Sequence, residues 1–207
     1  MTFFSNFKPP FPQIPDDGLV ETAPFLTSAR QILPFFDAMG TPFKPVKLDI
    51  EGNVIKLEKK YAQNPDRFRT LYGMLEQEIQ TKTTQAKESA STALLWLKRA
   101  LQYTYTMLKL VHDDPTKSEN MVSIFKQAYE QTLKRYHNWF VMKLFTVMCH
   151  AIPYRKDLIK SGFCYGKDMN EEQVMTDLDE FLRTLAPVLD NIDAMLKRLN
   201  LDSNEKV

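Results

Sequence analysis

Glycine is scarce in this 207-residue chain, at six residues. Without a glycine-rich run there is neither a phosphate-cradling loop nor a dinucleotide fingerprint. The two cysteines, Cys149 and Cys164, cannot build a disulfide framework, and a reducing compartment is the default. Cys149-His150 with Cys164 is too sparse for zinc, so neither a metal nor a cofactor is expected. Charge of one sign is also missing: 27 basic residues face 26 acidic ones, a net charge of +1. That balance argues against a nucleic-acid binder, which usually shows a strong basic excess. It also excludes tight, purely electrostatic attachment to acidic membranes. The longest apolar run, Trp139 to Tyr154, is interrupted by Lys143 and His150 and is too short to cross a bilayer. Pro9, Pro10, Pro12 and Pro15 break up any signal-peptide core. These absences point to a soluble cytoplasmic protein.

What remains is helix-forming. Hydrophobic residues make up 43% of the chain, with 14 Phe and 10 Met, and no strand-like alternation or internal repeat is visible. Residues 1–15 read as a proline-rich irregular arm, and 16–207 as one domain. Apolar periodicity predicts helices over about 21–39 and 46–62, then one opened by Asn64-Pro65 with Phe68, Leu71, Leu75 and Ile79 on a stripe. Further helices are predicted over about 86–111, apolar nearly all round, 119–151 and 154–161. The last is predicted to begin at a capping box of Asn170 and Gln173 and to kink at Pro187. The fold class is therefore all-α, seven or eight helices that could pack as a two-layer sandwich.

On the second predicted helix Asp49, Asn53 and Lys56 are spaced i, i+4, i+7 and share one face. Val46, Ile50, Val54 and Leu57 fall on the neighbouring face and would anchor it to a core. A row of acceptor, mixed donor and acceptor, and cation suits a ligand rich in hydroxyls, and it lacks the adjacent nucleophile that bond-breaking would need. Trp96 shares a face with Ala100, Tyr103 and Met107, which reads either as core or as an indole platform for a sugar ring. His137, with Phe140, Val141, Leu144 and Met148 on its predicted face, reads as a core histidine or as a neutral donor to a ligand carbonyl. Asp49 with His137 could resemble a hydrolytic pair, but nothing completes it. Trp139 between Arg135 and Lys143 is a solvated face or a transient membrane-docking patch. Gly52, inside a presumed helix, is either tolerated or clears space for a headgroup.

Taken in order, these segments resemble the glycolipid transfer protein family over nearly the whole chain. The carrying residues are Leu33-Pro34-Phe35-Phe36-Asp37, Asp49 through Lys56, Asn64-Pro65 through Leu71, Leu95-Trp96-Leu97-Lys98-Arg99 and Lys134-Arg135-Tyr136-His137-Asn138-Trp139. The resemblance implies an all-helical carrier of glycosphingolipids between membranes, with no catalysis. It implies that Asp49, Asn53 and Lys56 bond the first sugar, that Trp96 stacks under it, and that Asp49 and His137 hold the ceramide amide. It places Phe35, Phe36, Tyr103, Met107, Phe145 and Phe181 near the hydrocarbon pocket, and Trp139 with Lys143 at the membrane. The cargo would be the partner of a monomer that visits the cytosolic face of membranes transiently. One alternative is the family's ceramide-1-phosphate branch, which has cations where this chain has Asn53 and Trp96; another is a glycolipid sensor or adaptor that signals through a partner. Three departures bear on sugar preference and chain fit. Glu205-Lys206-Val207 stand where many members have Tyr-Lys-Val, Asn138 stands for a usual glycine, and Thr92 for a usual leucine. Pro34 through Ala38 also resemble the two-phenylalanine motif read by VAP-type receptors, although phenylalanines packed inside the fold are the commoner reading.

Overall fold

The computed structural model describes residues 1–207 and contains no β-strand. Eight α-helices longer than a single turn are present: α1 (Thr22–Arg30), α2 (Leu33–Ala38), α3 (Lys44–Gln63), α4 (Leu71–Thr81), α5 (Ala90–Asp113), α6 (Val122–Gln131), α7 (Trp139–Met148) and, last in the chain, α9 (Glu171–Arg198). Between α7 and α9 a three-residue α8 (Arg155–Asp157) runs on into a π-helical turn, Leu158–Phe163. The fold is thus the all-α, two-layer sandwich predicted. α5 is its central member, packed against α3, α4, α6 and α9, while α1 and α2 lie on α3. Its apolar periphery explains the position: Leu94, Leu97, Leu101, Met107 and Val111 are fully enclosed.

Several boundaries differ from the periodicity, each for a local chemical reason. The predicted 21–39 helix is two helices, because Pro34 has no N–H to continue the ladder of α1. Asn64 does not open α4. Its Oδ1 accepts from the Arg67 N–H at 3.1 Å in a turn, and the helix starts only after Thr70, whose hydroxyl accepts from the Gly73 N–H at 3.3 Å. Residues 86–89 lie outside α5, whose first turn is capped by Ser89. Asn170 caps α9, but Gln173 turns away to Asp177 at 2.8 Å, so no capping box closes. α9 continues as one helix through Pro187.

The largest difference is at 119–151. That segment breaks into α6, a 3₁₀ turn (Lys134–Tyr136), α7 and a second 3₁₀ turn (Cys149–Ala151). His137 is extended at φ −100° and ψ 137°, and Asn138 is a cap whose Oδ1 accepts from the Val141 N–H at 3.1 Å. The C-terminal residue holds the break open. The Val207 N–H donates to the Tyr136 carbonyl at 3.0 Å, and the Asn138 N–H donates to the Val207 carbonyl at 2.6 Å. Backbone groups that a continuous helix would pair internally are paired with the tail instead.

The arm at 1–15 has no helix, as its prolines dictate, but its phenylalanines are inside. Phe3, Phe4, Phe7 and Phe11 are all buried. Their rings pack on Phe35, Phe163 and Phe181.

Candidate functional site

The site is built outward from α3. Ile50, Val54 and Leu57 have no exposed surface and fix that helix to the core, so the neighbouring face carrying Asp49, Asn53 and Lys56 is held in place. The Asn53 amide donates to the Asp49 backbone carbonyl at 2.9 Å and to its Oδ1 at 3.4 Å. Lys56 Nζ donates to the Lys87 carbonyl at 3.3 Å and ties α3 to the loop before α5. Asp49 keeps contact with water on one side while protein crowds the other. That crowding pushes its carboxyl above the usual carboxylate range, against the opposing effects of Asn53 and Lys56. Gly52 leaves open space, since a Cβ there would meet nothing within 4 Å.

The second half of the site sits on α5 and the His137 break. The Trp96 indole and the His137 imidazole stack at 6.2 Å with an 18° tilt between planes. Tyr129 on α6 places its hydroxyl 3.0 Å from His137 Nδ1 and fixes the ring. Arg99 backs the pair. Its guanidinium lies 4.9 Å from the Trp96 ring and 3.4 Å from the Tyr136 ring, and bonds Asp202 at 3.1 Å and the Ser203 carbonyl. A groove of about 190 Å³ opens beside the indole, lined by Thr92, Leu95, Trp96, Arg99, Glu205 and Val207 among others. The structure thus brings Asp49 together with Asn53, and Trp96 together with His137, while Lys56 reaches the loop between the two halves.

His137 has a consequence for stability. Burial, reinforced by the charge of Arg99, pushes its imidazole down from 6.5 to about 4, so the ring is neutral at pH 7. Between those values the unfolded chain binds a proton that the folded one refuses. Stability is therefore complete above the unfolded value and falls as pH drops through 6.5 toward about 4. Glutamine at 137 cannot titrate. Urea unfolding of wild type and His137→Gln at pH 7 and pH 4 should show the wild type losing about 1–2 kcal/mol more, because solvent reaches the half-buried ring and screens part of the effect. Equal losses would mean that the imidazole titrates normally in the fold.

The remaining predicted residues are placed as follows. Phe35, Phe36, Tyr103, Met107 and Phe181 are buried, and Phe145 is half-buried, stacked on Tyr129 at 3.8 Å. Burial of Phe35 and Phe36 leaves no exposed two-phenylalanine peptide of the VAP-type kind. Trp139 is 67% exposed with Lys143 Nζ 5.1 Å from its ring. Arg135 has left that face and lies over Tyr136 at 4.6 Å, because the helix expected to join them is broken. His137 likewise shares no helical face with Phe140 or Val141. Tyr129, Arg99 and the tail at 201–207 lie against His137 and Trp96, and periodicity missed them. Only Arg99 had a sequence signal, in Trp-Leu-Lys-Arg.

Along the sequence, residues 20–162 match the profile of the family described as Glycolipid transfer protein (GLTP). The chain is 37% identical over 203 residues to the glycolipid transfer protein of Danio rerio, spanning 95% of this chain and 96% of that one. Among solved structures it is similar to the GLTP-fold of FAPP2, which selects simple glycosphingolipids, with a TM-score of 0.90, 29% identity and full coverage of both chains. It is also similar to HET-C2, a fungal glycolipid transfer protein, with a TM-score of 0.81, 28% identity and coverage of 95% and 97%. A profile match that spans Asp49, Trp96 and His137, joined to full-length relatedness at this identity, establishes that the chain belongs to the glycolipid transfer protein family.

Proposed function

We propose that this protein carries glycosphingolipids between membranes without catalysis, taking the ceramide into its apolar interior and the sugar onto the Asp49–Trp96 surface. What supports the reading is a row of carboxylate, amide and cation on one face of α3 together with a flat indole on α5 stacked on a neutral imidazole. In the proposal Asn53 and Lys56 donate to sugar hydroxyls, Asp49 accepts from them and from the ceramide N–H, and Trp96 lies under the ring. With Tyr129 donating to Nδ1, His137 keeps a hydrogen on Nε2 for the ceramide carbonyl.

Electrostatics favours a neutral sugar over a phosphate. Asp49 would repel a phosphate, Glu205 lines the adjoining groove, and the Arg99 charge is already engaged by Asp202. A ceramide with about 30 chain methylenes exposes apolar surface worth roughly 24 kcal/mol, at about 0.8 per CH₂. Only an equally apolar interior makes its extraction nearly neutral, after which the headgroup contacts select the lipid. Phe35, Phe36, Tyr103, Met107, Phe145 and Phe181 would line that interior.

Entry of the chains would need one wall to yield, and α7 suits that role. It buries no residue fully, in contrast to α5. Trp139, Phe140, Leu144 and Val147 on it are more than half exposed, an apolar patch with Lys143 beside it that would rest in the headgroup layer. No helix of the structure is long and apolar enough to cross a membrane. The protein would act as a monomer at the cytosolic face.

Vesicle-to-vesicle transfer of fluorescent galactosylceramide and ceramide-1-phosphate tests the reading. The first lipid should move and the second should not, and Trp96→Ala should slow the first about 10-fold or more. Transfer of the phosphate lipid alone would reject the proposal, and released sugar or fatty acid would make the protein an enzyme.

A further inference from the structure

The Tyr103 phenol is buried at 4% exposure, and its oxygen has no hydrogen-bond partner. A hydroxyl isolated in an apolar interior costs free energy that phenylalanine at the same place would not incur. Its ring meets Phe145 edge-on at 6.3 Å. The nearest titratable groups offer it nothing strong: Tyr129 is engaged with His137, and the Cys149 thiol is a weak acceptor. Burial pushes the phenol far above its ordinary value, so it remains a proton donor.

The position of this donor is informative. Tyr103 follows Trp96 by seven residues on the same face of α5, about 10 Å along the axis. Both side chains lean toward the N-terminus alike, so the hydroxyl stays about 10 Å further along α5 than the indole, at the depth of the first chain carbons of a lipid whose sugar lies on Trp96. From His137 the path runs through Tyr129 and Phe145 to Tyr103, a continuous aromatic wall. A ceramide pinned at His137 would pass its first few chain carbons along that wall.

We infer that the Tyr103 hydroxyl recognises a hydroxyl on the cargo's ceramide chains close to the amide linkage, on the acyl or the sphingoid chain. This rests on the carrier reading and names a chemical subclass of its cargo. The carrier would thus read two parts of one lipid, its sugar at the surface and its chain hydroxylation inside. Plain ceramide chains would leave the phenol unpaired, whereas a hydroxylated chain would satisfy it.

The test uses the full chain and galactosylceramides of matched chain length in three forms: unhydroxylated, 2-hydroxyacyl and 4-hydroxysphingoid. Wild type should transfer one hydroxylated form about 3- to 10-fold faster than the plain lipid. In Tyr103→Phe that ratio should fall to about one, and the favoured form identifies the chain that is read. The shift in melting temperature given by each bound lipid should rank the three forms in the same order where transfer is slow. Equal handling of all three forms by wild type, or a preference that survives in Tyr103→Phe, overturns this inference alone. Failure of wild type to move any of the three overturns the carrier reading and this inference with it.

Discussion

Asp49→Val should cost about 10- to 100-fold in galactosylceramide transfer while leaving the protein folded, because hydrogen bonds to a charged group contribute roughly 1.5–3 kcal/mol each. Valine removes the acceptor proposed for the ceramide N–H and for the sugar, and it leaves the Asn53 side chain, 7% exposed, with only the Asp49 backbone carbonyl. Folding is spared because α3 is held by Ile50, Val54 and Leu57 on a different face. The stability measurement should move the other way. Crowding raises the Asp49 carboxyl above its unfolded value of 3.8, so ionisation is penalised in the fold. The penalty is absent below the unfolded value and develops as pH rises through the folded one. Asp49→Asn, which keeps the Asn53 contact, should therefore melt higher than wild type at pH 7, with the gain shrinking as pH approaches 3.8. A variant that is both inactive and less stable would make Asp49 a structural residue rather than a binding one. A group that weakens the empty protein and strengthens the loaded one is what a reversible carrier requires.

The α3 half of this site was legible in the sequence because the whole i, i+4, i+7 row lies within one unbroken helix, where periodicity and geometry coincide. The other half was not. Trp96 and His137 stack only because the chain is extended at 137, and that break depends on Val207, seventy residues away and invisible to a local window. Tyr129 could not be paired with His137 for the same reason, since the expected continuous helix would hold the two about 12 Å apart along its axis. Asn64-Pro65 misled by supplying a plausible cap that serves a turn instead. Resemblance to the family supplied what periodicity could not, naming Trp96 and His137 together, and the two rings do stack. It could not supply the Tyr103 hydroxyl's isolation, which is a property of packing alone.

The arm at 1–15 is the other place where local pattern and tertiary structure part, and it carries the largest expected effect on stability. A chain of residues 16–207 alone should lack a cooperative thermal transition and near-ultraviolet ellipticity. Four phenylalanines leave with the arm, each worth about 1.5–3 kcal/mol of burial, so roughly 6–12 kcal/mol is forfeited against a typical total of 5–15. Polar ties leave with them. The Phe3 N–H donates to the Phe163 carbonyl at 2.7 Å, Thr2 Oγ1 donates to Asp177 at 2.6 Å, and Ser28 Oγ donates to the Pro10 carbonyl at 2.9 Å. A single ring should already be measurable. Phe7 meets Phe181 at 4.8 Å and stacks on Phe11 at 5.5 Å, so Phe7→Ala should lower stability by about 3–5 kcal/mol. These rings touch Phe35 and Phe181, which the carrier reading places beside the lipid chains, so the arm would shape the floor of the hydrocarbon space as well as hold it together. Should the truncated chain melt cooperatively within a few degrees of the full one, the arm is an appendage and its phenylalanines add little. Should it lose its transition, the arm and the helical body form one folding unit.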